Sequence, residues 1–279
     1  YLEIGGSIFI QKDKNLSVKE YKNKGISKIF KNKPMFILGA NFGPSINKEF
    51  VNFYHDLFSK FSDVCFREKK SYDLFADIKQ VRYASDIVYA LKSPVVLKEK
   101  DSLGISLIDL SKRTGLNIYA SEYISTIVAL VTKAIEDNKK VYLFSFCKSE
   151  GDEDAITTII EKLPSSFREK VQEICYNGNI DSFLESYFKV EAMFTSRFHA
   201  MILSLIANQN VYPLIYSSKM TNALEDIGFE GMFSYIKDMK IEIADEMLHE
   251  IYKNNHKLTN EAISAEEQFI KLDSFLNNG

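Results

Sequence analysis

Short apolar runs, each followed by a polar loop and an amphipathic helical stretch, recur along most of this 279-residue chain. Met35-Phe36-Ile37-Leu38, Asp63-Val64-Cys65-Phe66, Lys140 to Phe146, Val190 to Phe194 and Val211 to Tyr216 are the clearest runs. Runs that are apolar throughout suit strands buried on both faces. Strands alternating with helices then give parallel sheets flanked by helices. An apolar fraction of 46% is enough to build such cores. The pattern breaks once, near Lys92 to Asp101, where Pro94 and several charges read as a linker. We therefore expect two α/β units, 1–97 and 98–279, facing each other across a cleft where ligands bind. The chain starts at Tyr1 inside a strand-like run, so the first unit is expected to lack a preceding segment.

In the first unit, Leu2 to Ile10 is a strand that breaks at Gly5-Gly6, a pair that lets backbone come close to a ligand. Gln11 to Lys33 is polar and lysine-rich and reads as solvated loop and short helix. The strand after Pro34 ends in the flexible loop Gly39 to Ser45, which contains Asn41. Asn47 caps a helix whose Phe50, Phe53, Tyr54, Leu57, Phe58 and Phe61 recur at helical spacing. Ser71 is expected to begin the next helix, and Val81 to Ala84 leads to Ser85-Asp86. In the second unit, a strand over 103–108 precedes a helix over 119–137, and two closing helices run over 241–254 and 260–276.

Chemistry concentrates at Thr195-Ser196-Arg197-Phe198-His199-Ala200, between a short strand-like run and a helix. Helix N-termini favour anions, and the carboxyl ends of parallel strands hold ligands. A cation and a titratable group there suit a phosphorylated or carboxylated small molecule. Arg67 and Lys219 also stand at strand ends, with Tyr216 three residues before Lys219. Several charge-assisted hydrogen bonds can together offset the desolvation of such an anion. A histidine beside it would be favoured in its protonated form, as a general acid requires. The acidic run Glu150-Gly151-Asp152-Glu153-Asp154 is read as a complement to a helix dipole rather than a metal site. His55, His249 and His256 are read as structural or solvated.

Other classes are disfavoured. A net charge of −3 gives no global basic field for nucleic acid. No Walker sequence, no Gly-x-Gly-x-x-Gly after a strand and no Gly-x-Ser-x-Gly is present. Cys65, Cys147 and Cys175 lack metal-ligand spacing and read as reduced core thiols of a cytoplasmic protein. No signal peptide is visible, and no run approaches the ~20 apolar residues of a bilayer span.

Gly5-Gly6-Ser7-Ile8-Phe9, Arg67-Glu68-Lys69-Lys70-Ser71, Ser196-Arg197-Phe198-His199-Ala200 and Tyr216-Ser217-Ser218-Lys219 occur in this order. Together they resemble the polysaccharide pyruvyltransferase family, from Gly5 to about Gly228. That resemblance implies two Rossmann-like units of the GT-B glycosyltransferase type. It implies transfer of pyruvate from phosphoenolpyruvate to two sugar hydroxyls, as a cyclic ketal on a bacterial cell-surface polysaccharide, an exopolysaccharide or its precursor. By motif, Arg67, Arg197, the backbone at Phe198 and His199 hold the donor, with His199 the acid/base; Lys219 joins them as a further cation. Gly5, Gly6, Asn41, Ser71, Asp86 and Tyr216 are secondary candidates. No cofactor or metal is expected. The partners are phosphoenolpyruvate and a sugar or lipid-linked saccharide, with no nucleic acid and with peripheral association at the inner membrane face. One departure is clear: the Asn-x-Gly-Asp turn of an earlier strand in the family is not found here. The alternatives are a nucleotide-sugar glycosyltransferase of the same fold and a non-catalytic polysaccharide-assembly protein.

Overall fold

The computed structural model describes residues 1–11, 33–92 and 96–278. It contains two compact units, each with a parallel sheet. The reading of 12–32 as solvated loop and short helix lies outside the described residues, as does the part of the proposed linker at 93–95.

The first unit contains β1 (Leu2–Ile4), β2 (Phe36–Ala40), α1 (Lys48–Phe58), β3 (Asp63–Phe66), α2 (Lys69–Asp73) and β4 (Val81–Tyr83). Its strands lie in the order β1-β2-β3-β4, all parallel. Alternation along β2 and β3 sends Ile37, Val64 and Phe66 to one face and Leu38 and Cys65 to the other. The first face meets an aromatic core in which Phe9, Phe42, Phe50, Tyr54, Phe58 and Phe75 pack mostly edge-to-face. Asn47 caps α1 as expected, its side-chain oxygen accepting from the Phe50 amide at 3.0 Å. The first strand stops at Ile4, because Gly5 and Gly6 turn through φ of +76° and +87°.

The second unit holds β5 (Glu99–Ser106), α3 (Ala120–Glu136), β6 (Lys140–Ser145), α4 (Asp152–Lys162), β7 (Val171–Cys175) and α5 (Ile180–Phe188). It continues with β8 (Val190–Thr195), α6 (Phe198–Ile206), β9 (Asn210–Ile215), α7 (Ser218–Asp226), β10 (Ser234–Tyr235) and α8 (Ala244–Glu250). The six strands run parallel in the order β10-β9-β8-β5-β6-β7. Leu103, Ile105, Val141, Leu143, Ala192 and Phe194 bury one face against α3, α4 and α8. On the opposite face Gly104 admits Met193, whose Sδ would lie 2.2 Å from an added Cβ. Helix α3 lies within 117–136, the one described segment that is long and apolar enough to cross a membrane by length and composition alone. Its Tyr123, Ile127, Leu130, Val131 and Ala134 are buried in the core of this unit.

Several boundaries differ from expectation. Strand β5 begins at Glu99, within the region read as linker, because its charged first residues pair with neighbours: Lys140 and the Tyr142 hydroxyl both bond Glu99. Ser71 lies inside α2 rather than starting it, and the short β10 was not anticipated. The closing helices are broken by 3₁₀ turns.

The division of the chain also departs from a simple 1–97 and 98–279 split. The first unit comprises Tyr1–Leu91, Asn222–Ile227 and Thr259–Gly279; the second comprises Lys92–Thr221 and Gly228–Leu258. The C-terminal helices α9 (Glu261–Glu266) and α10 (Ile270–Asn277) therefore belong with the first sheet. The cause lies in the turn between them. Gln268 is fully buried, accepts from the Gly39 amide at 2.8 Å and donates to the Ala84 carbonyl at 2.8 Å and the Ser85 carbonyl at 3.1 Å. Phe269 and Leu272 cover Leu38 and Cys65.

Candidate active site

In the second unit the organising turn sits where expected, at the carboxyl end of β8. Arg197 has extended backbone, φ −102° and ψ 137°, and is the residue from which α6 departs. The turn is seated on Ser106 at the end of β5. The Ser106 hydroxyl oxygen accepts from the Ser196 amide at 3.0 Å and lies 3.4 Å from the Arg197 amide. The buried Tyr123 hydroxyl bonds Ser196 at 2.9 Å, so the strand end is held from two sides.

The Arg197 side chain does not extend into open solvent. Its Nε donates to Asp152 at 3.0 Å, its Nη2 bonds the same carboxylate, and its Nη1 bonds Glu150. Burial works against the guanidinium charge, but Asp152 and Glu150 outweigh it and hold Arg197 firmly protonated. Asp152 is wholly buried and also accepts from the amides of Phe146 at 3.1 Å and Cys147 at 2.9 Å. Glu150 is half exposed and is bonded by Arg113 as well as by Arg197. Burial raises its carboxyl, yet the two arginines prevail and hold it below the usual range.

These partners were not recognised from the sequence. The acidic run does occupy the first turn of α4, as the dipole argument expects, but Glu150 and Asp152 also serve Arg197. The signal lies in the sheet order. Because β5 lies between β6 and β8, the loops leaving β6 and β8 flank the small Ser106. Gly151 makes the sharp turn between the two carboxylates, with φ +87° and no room for a Cβ against Asp109. Among the described residues no group of His, Cys, Asp and Glu is arranged to hold a metal ion.

His199 is exposed in the first turn of α6, its ring 5.2 Å from that of buried Phe198. Lys219, one residue into α7, has Nζ 5.4 Å from the Phe198 ring and 6.0 Å from the Tyr216 ring. The Arg113 guanidinium lies 5.4 Å from the same Tyr216 ring. Burial pushes the Tyr216 phenol up. This unit thus gathers Arg197, Phe198, His199, Tyr216 and Lys219, and adds Arg113.

The first unit gathers the other candidates. Arg67 follows β3 and is buried; its Nη1 donates to Asp86 and its Nη2 to the Asn41 side-chain oxygen, each at 2.8 Å. The same Asn41 oxygen accepts from Ser7 at 2.8 Å, and the Asn41 amide donates to the Gly6 carbonyl at 3.3 Å, which brings the Gly5-Gly6 turn to this cluster. Asp86 also accepts from the Val88 amide at 2.9 Å. Ser71 stands apart from Arg67: it accepts from the Phe42 amide at 2.7 Å and donates to Glu68 at 2.6 Å.

A family model described as polysaccharide pyruvyl transferase matches residues 4–218, which include both arginine clusters. The chain belongs to the polysaccharide pyruvyl transferase family. This is a family of transferases, and in this member Lys219 lies one residue beyond the matched region. Solved structures show where the fold recurs. The UDP-GlcNAc 2-epimerase from Methanocaldococcus jannaschii superposes with a TM-score of 0.59 at 10% identity, over 88% of this chain and 71% of that one. Anabaena HepE, solved with UDP, gives 0.53 at 12% identity, over 94% and 77%. TarM gives 0.52 at 16% identity, over 94% of this chain, which spans only 53% of TarM. No curated protein matches the sequence. These likenesses show that this pyruvyl transferase family member has a GT-B-like fold, with two parallel-sheet α/β units.

Proposed function

We propose that the chain transfers pyruvate from phosphoenolpyruvate to two hydroxyls of a sugar, forming a cyclic ketal in a cell-surface polysaccharide or its precursor. The observation that carries this reading is His199, exposed in the first turn of α6 directly after Arg197, within the region matched by the family model. Phosphoenolpyruvate has a phosphate and a carboxylate, and the second unit offers Arg197, Lys219 and the N-terminus of α6 to anionic groups. Protonation of the enol methylene by His199 would leave a cationic carbon for attack by one sugar hydroxyl. Attack by the second hydroxyl with loss of phosphate closes the ketal. The net products are the ketal and inorganic phosphate. The buried Arg67 of the first unit, held by Asp86 and Asn41, is proposed as an anion-binding residue of that unit. The reading goes with a chain that works in the cytoplasm, at the inner membrane face where the acceptor is lipid-linked.

Thermal unfolding with millimolar phosphoenolpyruvate, UDP-sugars or inorganic phosphate tests the donor. A ligand at a hundredfold excess over its Kd adds about 2.7 kcal/mol of stability, which is readily seen. Stabilisation by phosphoenolpyruvate beyond that by phosphate is expected. Stabilisation by a UDP-sugar alone would replace this reading with a glycosyltransferase.

A further inference from the structure

Two guanidiniums of the second unit converge on a single oxygen. Arg113 Nη2 and Arg197 Nη1 both bond Glu150 Oε2. The two carboxylates that hold Arg197 are unlike each other. Asp152 is fully buried and fixed by two backbone amides besides Arg197, so moving it away would strand four N–H donors. Glu150 is 49% exposed and sits in a single 3₁₀ turn ended by Gly151. A rotation of its side chain moves it into water at little cost, and a half-exposed ion pair is weak. Two adjoining guanidiniums need an anion between them, because like charges at such range repel. A phosphate group has more oxygens and more charge to offer two guanidiniums than a carboxylate has. The position occupied by Glu150 Oε2 is one a phosphate oxygen can take, while Asp152 keeps Arg197 aimed at it.

We propose that Arg113 and Arg197 form a two-guanidinium clamp for the phosphate group of the donor, and that Glu150 is an internal anion displaced by that phosphate. This deepens the reading of the donor given above and rests on it for the identity of the donor alone. It makes Arg113 a donor-binding residue and Glu150 a competitor that keeps the clamp assembled and sets its affinity. Tyr216 supports the clamp from one side, with Arg113 on its ring.

The test titrates inorganic phosphate, phosphoenolpyruvate and pyruvate into the full chain by calorimetry at fixed salt, for the wild type, Glu150→Gln and Arg113→Gln. Glutamine keeps an oxygen acceptor for both arginines and removes only the charge, and thermal unfolding of each variant checks its fold. Glu150→Gln should bind phosphate and phosphoenolpyruvate several-fold more tightly. Arg113→Gln should bind both about tenfold or more weakly, as expected for a lost charged hydrogen bond. Phosphate affinity unchanged or lowered in Glu150→Gln would overturn the internal-anion assignment. Unchanged phosphate affinity in Arg113→Gln would remove Arg113 from the clamp, and changes confined to pyruvate would overturn the assignment to phosphate. If phosphate follows the expected pattern but phosphoenolpyruvate binds no better than phosphate, the clamp stands and the proposed donor falls. If phosphoenolpyruvate binds well but neither variant alters it, the donor stands and the clamp falls.

Discussion

His199 is exposed at the start of a well-packed helix, so removing its imidazole opens no cavity. His199→Ala should lower turnover by roughly 10²- to 10⁴-fold, the span of a lost general acid, and leave the unfolding temperature nearly unchanged. Unfolding that moves with the activity would assign His199 to packing. Asp152 is the opposite case. Asp152→Ala leaves a largely buried arginine and two amides without their acceptor, and should cost about 3–5 kcal/mol of stability in denaturant titrations. Glu150 predicts a pH effect. Its carboxyl is held below the ordinary 4.5, so its contribution is complete above 4.5 and is lost as pH falls through its lower folded value. Between neutral pH and the acid range the wild type should lose more unfolding temperature than Glu150→Gln. Equal losses would show that Glu150 adds nothing to the folded state. At this scale the sequence placed the cation and the histidine where the structure has them, since both follow a strand end closely in the chain. The carboxylates that hold Arg197 come from a loop some 45 positions earlier, and only the order of strands brings them together.

Among the elements, the loop from β6 to α4 holds Arg197 through Glu150 and Asp152. Gly151 allows Glu150 and Asp152 to lie on one guanidinium, and its φ of +87° and the 2.7 Å approach of Asp109 to an added Cβ exclude a side chain. Gly151→Ala should destabilise the chain by about 1 kcal/mol or more and weaken phosphate binding together with it. Loss of stability with full phosphate affinity would show that the loop does not position the clamp. The elements themselves were largely legible. Apolar runs gave nearly every strand, and Asn47 announced α1. The failures have physical causes. The first residues of β5 are charged and paired with neighbouring strands at the start of the strand, so they read as linker. The two-residue β10 is too short to show a period.

Over the whole molecule, the path of the chain between units was least visible. Amphipathic helices at the C-terminus show that they bury a face, but not against which sheet. The answer depends on Gln268, whose side chain meets backbone of β2 and of the segment after β4, and on Arg82. Arg82 pairs with Asp63 at 2.8 Å and donates to the Gln268 carbonyl at 2.6 Å. Gln268→Ala should lower the stability of the first unit by about 2 kcal/mol, because buried backbone groups lose their partner. Hydrogen exchange should then rise at Gly39 and along β2 and leave β5 to β9 protected. Exchange rising equally in both sheets would show that the two units unfold together. The same path has a consequence for synthesis on the ribosome. The strands of the first unit emerge before the second unit, but the residue that satisfies Gly39 follows that glycine by 229 positions, beside those that cover Leu38 and Cys65. The unit begun before the other is therefore completed after it, and its nascent sheet keeps an uncovered apolar face until Gln268, Phe269 and Leu272 have emerged.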